Sequence, residues 1–163
     1  MRKIIFIGRS GCGKTTLTQK IKNLPREYHK TQYVEYGSTI IDTPGEYAQT
    51  KGLGAALALY SYEADVVGLM ISAADDYSLF PPNITCMVNR EVIGIVTQID
   101  RHGTSPEKAA KWLENSGCKK VFFVSSKTGE GIQNLLEYLK YQPKTTKKKK
   151  KTEELLTPQI LCV

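Results

Sequence analysis

Four stretches of the chain are almost continuously apolar instead of alternating. They are residues 3–7 (KIIFI), 65–72 (DVVGLMIS), 92–97 (VIGIVT) and 120–125 (KVFFVS). A run of that kind is covered on both faces, which marks a strand buried inside a parallel sheet. Helical patterns separate the runs. Residues 15–23 read as a helix that Pro25 stops, and residues 51–62 as an Ala/Leu-rich helix. Residues 105–116 form a third, with Ser105 as N-cap, Pro106 at the first position and Gly117 just past the end. Residues 131–141 form the last, apolar at Ile132, Leu135, Leu136 and Leu139. Residues 33–36 and 39–41 suggest a hairpin around Gly37-Ser38, preceded by a polar connection over 25–32. Strands alternating with helices predict an α/β fold with a central, mainly parallel sheet. Ligands in such folds bind beyond the carboxyl ends of the strands. The unusual residues fall there: Gly8 onward, Asp42 onward, Thr97 to Asp100 and Ser125 to Lys127 each follow a strand.

The chain has 163 residues, enough for one compact domain with a real core. Forty per cent apolar and 24 per cent charged residues suit a soluble globular protein. No apolar run is long enough to cross a bilayer, and Gly8 and Arg9 interrupt the N-terminal one too early for a secretory signal. Cys12, Cys86, Cys118 and Cys162 are scattered without a CxxC pair, which suggests neither zinc nor disulfides and fits a reducing cytoplasm. The net charge of +7 is unevenly placed. From Gln142 onward six lysines stand against two glutamates, which leaves +4 there and +3 for the rest. A nucleic-acid footprint over the body is therefore not expected. The composition divides the chain into a domain at 1–142 and a Lys-rich, flexible tail at 143–163.

The first candidate chemistry follows the first strand. Gly8-Arg9-Ser10-Gly11-Cys12-Gly13-Lys14-Thr15 matches GxxxxGK[ST] in full and opens a helix that continues through Thr16. Glycines let such a loop turn several N–H groups onto one anion, and the helix start adds its positive dipole end. Lys14 would meet the β- and γ-phosphates, and Thr15 offers a hydroxyl to Mg2+. Downstream, IIDTPG closes another apolar strand. Asp42 there can hold Mg2+ through a water, and Gly45 can bring an N–H to a γ-phosphate. Thr31, in KTQ, is a candidate switch threonine for the same metal, with an ordinary loop residue as the alternative.

The second chemistry is the loop TQID. Asp100 can accept from the N1–H and N2 amino group of guanine, whereas adenine offers an acceptor at N1 and would leave a buried carboxylate unpaired. Gln98 can lay its stem across a base but lacks the charge and reach of lysine. Ser125, Ser126 and Lys127 follow the last strand as a loop that can offer an N–H to guanine O6, with Lys127 over the other face of the ring. In this order the four segments favour guanine over adenine.

GRSGCGKT, DTPG, TQID and SSK, taken together, resemble the Ras-like small GTPases of the translation-factor-related class over residues 2–141. FIGRSGCGKTTL, KTQYVEY and IDTPGEY bring the chain closer still to the EutP/PduV family of ethanolamine and propanediol utilisation. The resemblance implies a three-layer P-loop NTPase fold and a bacterial cytoplasmic protein encoded with enzymes packaged in a protein-shelled microcompartment. It carries Gly8, Gly13, Lys14, Thr15, Asp42, Gly45, Thr97 and Asp100 over as nucleotide contacts for GTP or GDP with Mg2+. Gln98 departs from the usual lysine. Glu46 stands directly after DxxG, where small GTPases place a glutamine that orients water. Its carboxylate adds negative charge beside a γ-phosphate, so slow hydrolysis is expected, with Lys14, Thr31 and Glu46 as the catalytic set and a partner or a homodimer as the means of raising it.

Several readings stay open. Cys12 lies beside Lys14 and a helix start, where its pKa could fall and permit redox control; a small residue that simply fits is the plainer alternative. Arg9 and Arg26 could assist catalysis or serve solubility alone. The tail is a solubilising segment, a docking helix for a microcompartment shell or enzyme through Leu155, Leu156, Ile160 and Leu161, or a loose binder of anionic membrane. Two functional rivals remain: an ATP-dependent phosphotransferase for a small acid or alcohol, and a structural accessory whose nucleotide site serves folding alone.

Overall fold

The computed structural model describes residues 1–22, 35–36, 39–43 and 53–140. Strands are β1 (Ile4–Gly8), β2 (Glu35–Tyr36), β3 (Ile40–Asp42), β4 (Val66–Ser72), β5 (Glu91–Thr97) and β6 (Val121–Phe123). Helices are α1 (Lys14–Ile21), α2 (Leu53–Ser61), α3 (Pro106–Asn115) and α4 (Ile132–Lys140), with a 3-10 turn at Ile84–Met87. The strands form one sheet in the order β2-β3-β1-β4-β5-β6. Five run parallel, and β2 pairs antiparallel with β3 through Glu35–Asp42 and Tyr36–Ile41. The expected hairpin is therefore present, with its turn at 37–38 outside the described residues.

Side chains of β1 explain the layering. Ile5 and Ile7 face one way, into a core shared with Leu57 of α2 and Ala109, Ala110 and Leu113 of α3. Ile4 and Phe6 face the other, toward Leu17 of α1 and Ile132, Leu135 and Leu139 of α4. A two-residue period thus feeds two cores, and helices cover both faces. This is the three-layer α/β P-loop NTPase fold. β1 and β4 are buried at every position, as continuous apolar runs require.

Two expectations need correction. β6 was expected to be a fully buried strand, but it is short, lies at the sheet edge and leaves Phe123 41 % exposed. Beyond Phe123 the Val124 N–H still donates to the Val96 carbonyl of β5 at 2.8 Å and its side chain enters the core with Ile93, Ile95 and Leu135, and the buried Ser125 begins the loop. Ser105 does precede α3, with Pro106 at its start, yet its hydroxyl makes no capping bond. The residue's contribution to the helix start is its backbone carbonyl, which accepts the Ala109 N–H at 3.3 Å.

Parallel strands direct their carboxyl ends to one edge. Gly8, Asp42, Ser72 and Thr97 all end there, and Ser125 follows β6 on the same side. Gly8 admits a close approach. A Cβ at this position would lie 2.5 Å from the Met70 carbonyl oxygen and 2.8 Å from Cys12 Sγ. Both neighbours belong to packed segments, so Gly8→Ala is expected to cost about 2 kcal/mol or more. Urea unfolding should show a lowered midpoint at unchanged slope; an unchanged midpoint would show that the loop yields freely at its root.

Candidate functional site

Residues 8–15 turn from β1 into α1 through two left-handed glycines, Gly11 at φ +82° and Gly13 at φ +94°. A side chain at either would be strained, because that region favours glycine. The turn separates donors from acceptors. Lys14 Nζ curls back to donate to the carbonyls of Gly8 at 2.8 Å and Arg9 at 2.9 Å. Gln98 Nε2 donates to the Gly11 carbonyl at 2.9 Å, and Thr97 Oγ1 to the Cys12 carbonyl at 2.6 Å. The Gly13 carbonyl receives the Leu17 N–H at 2.9 Å. With those carbonyls occupied, the N–H groups of Gly11 and Gly13 have no hydrogen-bond partner among the described residues, and the Lys14 N–H meets only the Cys12 thiol. A concave run of amides at a helix start, beside a buried ammonium group, is suited to a polyanion.

A donor pair for a cation lies at the same edge. Thr15 Oγ1 donates to Asp42 Oδ2 at 2.8 Å, and Asp42 is 3 % exposed. Both are hard oxygens, from α1 and β3. Adjacent ligands of an octahedral Mg2+ at about 2.1 Å stand about 3 Å apart, so this pair fits the ion by type and by spacing. Thr43 Oγ1, donating to the Phe6 carbonyl at 2.6 Å, fastens the end of β3 to β1 and so holds Asp42 in place.

The loop after β5 does more for the phosphate turn than its pattern suggests. Thr97 is 2 % exposed and acts as a buttress under Cys12. Gln98 adopts φ +56°, uncommon for a residue with a Cβ. Its Oε1 accepts from Ser72 Oγ at 3.1 Å and from Arg101 Nη1 at 3.0 Å. Both ends of its amide are thus engaged by protein. Asp100 is partly exposed. Its Oδ1 accepts from Ser125 Oγ at 2.7 Å, and this bond holds its pKa below the ordinary 3.8, with Lys127 adding a smaller pull. Ser125 is fully buried and its hydroxyl also accepts the Thr128 N–H, so one residue fixes both the carboxylate and the turn that carries Ser126 and Lys127.

The family model described as "Ethanolamine utilisation - propanediol utilisation" matches residues 1–141. The chain belongs to the PduV-EutP family. It is 39 % identical over 142 residues to the propanediol utilization protein PduV of Citrobacter freundii, covering 85 % of this chain and 93 % of that protein. It is 29 % identical over 142 residues to the probable acetate kinase EutP of Escherichia coli K12, covering 85 % and 89 %. Elongation factor 4 of Syntrophomonas wolfei matches at 27 % identity over 124 residues, covering 74 % of this chain and 20 % of the factor.

In this family member the sequence motifs converge on one edge of the sheet, apart from Thr31, Gly45 and Glu46, which lie outside the described residues. Ser10 and Thr16 flank the turn, half-buried. Arg9 points to the loop after β4, 3.9 Å from Asp75 Oδ1 and with its guanidinium 5.0 Å from the centre of the Tyr77 ring. That loop was missed in the sequence. Ser72 clasps Gln98, and Asp75 accepts the Ser72 N–H at 3.0 Å. The carboxyl-end rule, applied to the strand at 65–72, points to this loop, but the contacts themselves depend on the β4–β5 register. Of the two readings of Cys12, the plainer one fits its surroundings. Cys12 is 1 % exposed, and burial pushes its thiol up against the smaller pull of Lys14. It is a small residue that fills the space against Gly8.

Two outcomes follow from these contacts. Thr97→Val keeps the shape but leaves the Cys12 carbonyl unsatisfied, and should cost about 1–3 kcal/mol in urea unfolding; a neutral effect would remove the buttress. Under native alkylation at neutral pH, Cys86 should react while Cys12 and Cys118, the latter pushed up to about 12 by burial, resist. Peptide mass spectrometry showing Cys12 modified as fast as Cys86 would contradict its burial.

Proposed function

We propose that this protein binds GTP and GDP with Mg2+ and hydrolyses GTP slowly, as an accessory of ethanolamine or propanediol utilisation and of its microcompartment. The observation that carries the reading is the Asp100–Ser125 bond at the same sheet edge as the phosphate turn. An ionised carboxylate only accepts hydrogen bonds, and it is oriented by a buried hydroxyl. Guanine supplies two donors to such a group, whereas adenine supplies an acceptor at the facing ring nitrogen. Lys14 and the loop amides would take the phosphates, and Thr15 and Asp42 would hold the ion, which would neutralise charge on the transferred group. Similarity to a translation factor agrees with this choice of base.

A second reading has its own support. A relative at 29 % identity bears the name probable acetate kinase, which favours an ATP-dependent transfer of phosphate to a small acid. Competition between GTP, GDP, ATP and ADP for a fluorescent guanine nucleotide, with Mg2+, separates the two. GTP should outcompete ATP, Lys14→Ala should abolish binding, and Asp100→Asn should reduce the preference for guanine about tenfold or more. Equal competition by ATP, with acetate-dependent release of ADP, would establish the second reading instead.

The pH dependence carries the same signature. The Asp100 pKa is depressed below 3.8, so the carboxylate contribution is fully present above that value and fades only as pH falls through the lower folded value. Guanine preference should therefore stay flat from about pH 5 to 8. In single-turnover assays Glu46→Gln should hydrolyse GTP faster than the wild type, because a repelling charge is removed; an already efficient wild type would reject slow hydrolysis.

A further inference from the structure

A cavity of about 410 Å3 opens at the amino end of β5, the opposite end of the strand from Thr97. Seven extended residues separate the two sites by about 20 Å. The volume falls within the range of small-molecule sites, about 300–1,000 Å3. Its walls are Thr85 of the 3-10 turn, Arg90, Glu91 and Val92 at the start of β5, Gly117 after α3, and Lys119 and Lys120 before β6.

Gly117 lets the chain after α3 pack directly against the 3-10 turn on one side of the cavity: at its φ of +101° a Cβ would clash with Thr85 Oγ1. The charges are lopsided. Three cations face one carboxylate, and Glu91 is engaged elsewhere, by the guanidinium of Arg2 and the hydroxyl of Tyr138. Arg90 uses Nε to hold the Ser61 carbonyl at 3.2 Å, while its two terminal nitrogens have no protein partner among the described residues. Lys119 likewise has none, and Lys120 lies 4.4 Å from the centre of the Tyr138 ring.

From this we propose that the cavity is a second anion site, for a small phosphate monoester. A planar guanidinium beside two ammonium groups matches a group carrying nearly two negative charges better than a single carboxylate. Thr85 adds a hydroxyl, and Val92 offers an apolar wall for a short carbon skeleton. The site is separate from the phosphate turn and does not depend on the nucleotide that turn takes.

Amide NMR of the full chain carrying Lys14→Ala tests this, since the substitution weakens phosphate binding at the turn. Inorganic phosphate and glycerol 3-phosphate are titrated at constant ionic strength, with glycerol as control. Saturable shifts should appear at Thr85, Gly117, Lys119 and Lys120, tighter for glycerol 3-phosphate, and glycerol should produce none. Lys119→Ala should weaken the affinity about tenfold, as loss of a charge-assisted bond would. Arg90→Lys keeps a cation and should reduce affinity less than Arg90→Ala; Lys119→Ala keeps the test decisive should Arg90→Ala unfold the chain by releasing Ser61. Shifts that do not saturate by about 20 mM, or an affinity unmoved by Lys119→Ala, would overturn the proposal.

Discussion

The site rests on a division of labour within eight residues of backbone. To gather amides around an anion, the turn at 8–15 must send its carbonyls outward and satisfy them in a crowded place. Lys14, Thr97 and Gln98 do so for Gly8, Arg9, Cys12 and Gly11. Buried carbonyls left unbonded would cost about 1–3 kcal/mol each, enough to collapse the turn. The same constraint explains why β5 ends in Thr97 and Gln98. Their first task is mechanical, and the positive φ at Gln98 is the strain accepted to bring its amide against Gly11.

This dependence links the two halves of the site. A loop whose Thr97 and Gln98 brace the phosphate turn also carries Asp100, two residues further on. Ser125 then locks Asp100 from the next strand. Ser72 locks Gln98 from the strand before. The three carboxyl ends of β4, β5 and β6 therefore act as one unit, and a change in any of them is felt at the turn. Asp42 depends on a separate anchor, the Thr43 bond that seats β3 against β1.

Much of this was legible in the sequence, and for physical reasons. Continuous apolar runs locate β1, β4 and β5 because a doubly covered strand tolerates little else. The glycine spacing identifies the phosphate turn because the positive φ angles at Gly11 and Gly13 favour glycine strongly. Three features could not be read. The run at 120–125 reads as a fully buried strand because sequence does not show that it lies at the sheet edge, where Phe123 is left exposed. The choice between a lowered thiol pKa and a plain packing role for Cys12 stayed open because proximity to Lys14 is visible in sequence and desolvation is not. The roles of Ser72 and Asp75 arise only when β4 and β5 are paired in register, which places Ser72 opposite Thr97.

The central claim is that the amides of residues 8–15, helped by Lys14, enclose the phosphates of a guanine nucleotide. Amide NMR with GDP and Mg2+, compared with guanosine alone, tests it most directly. The account predicts large, saturable shifts at Gly11, Gly13 and Lys14 with GDP and none at these residues with guanosine. Binding of GDP that leaves those three amides unmoved, or no binding at all, would contradict it.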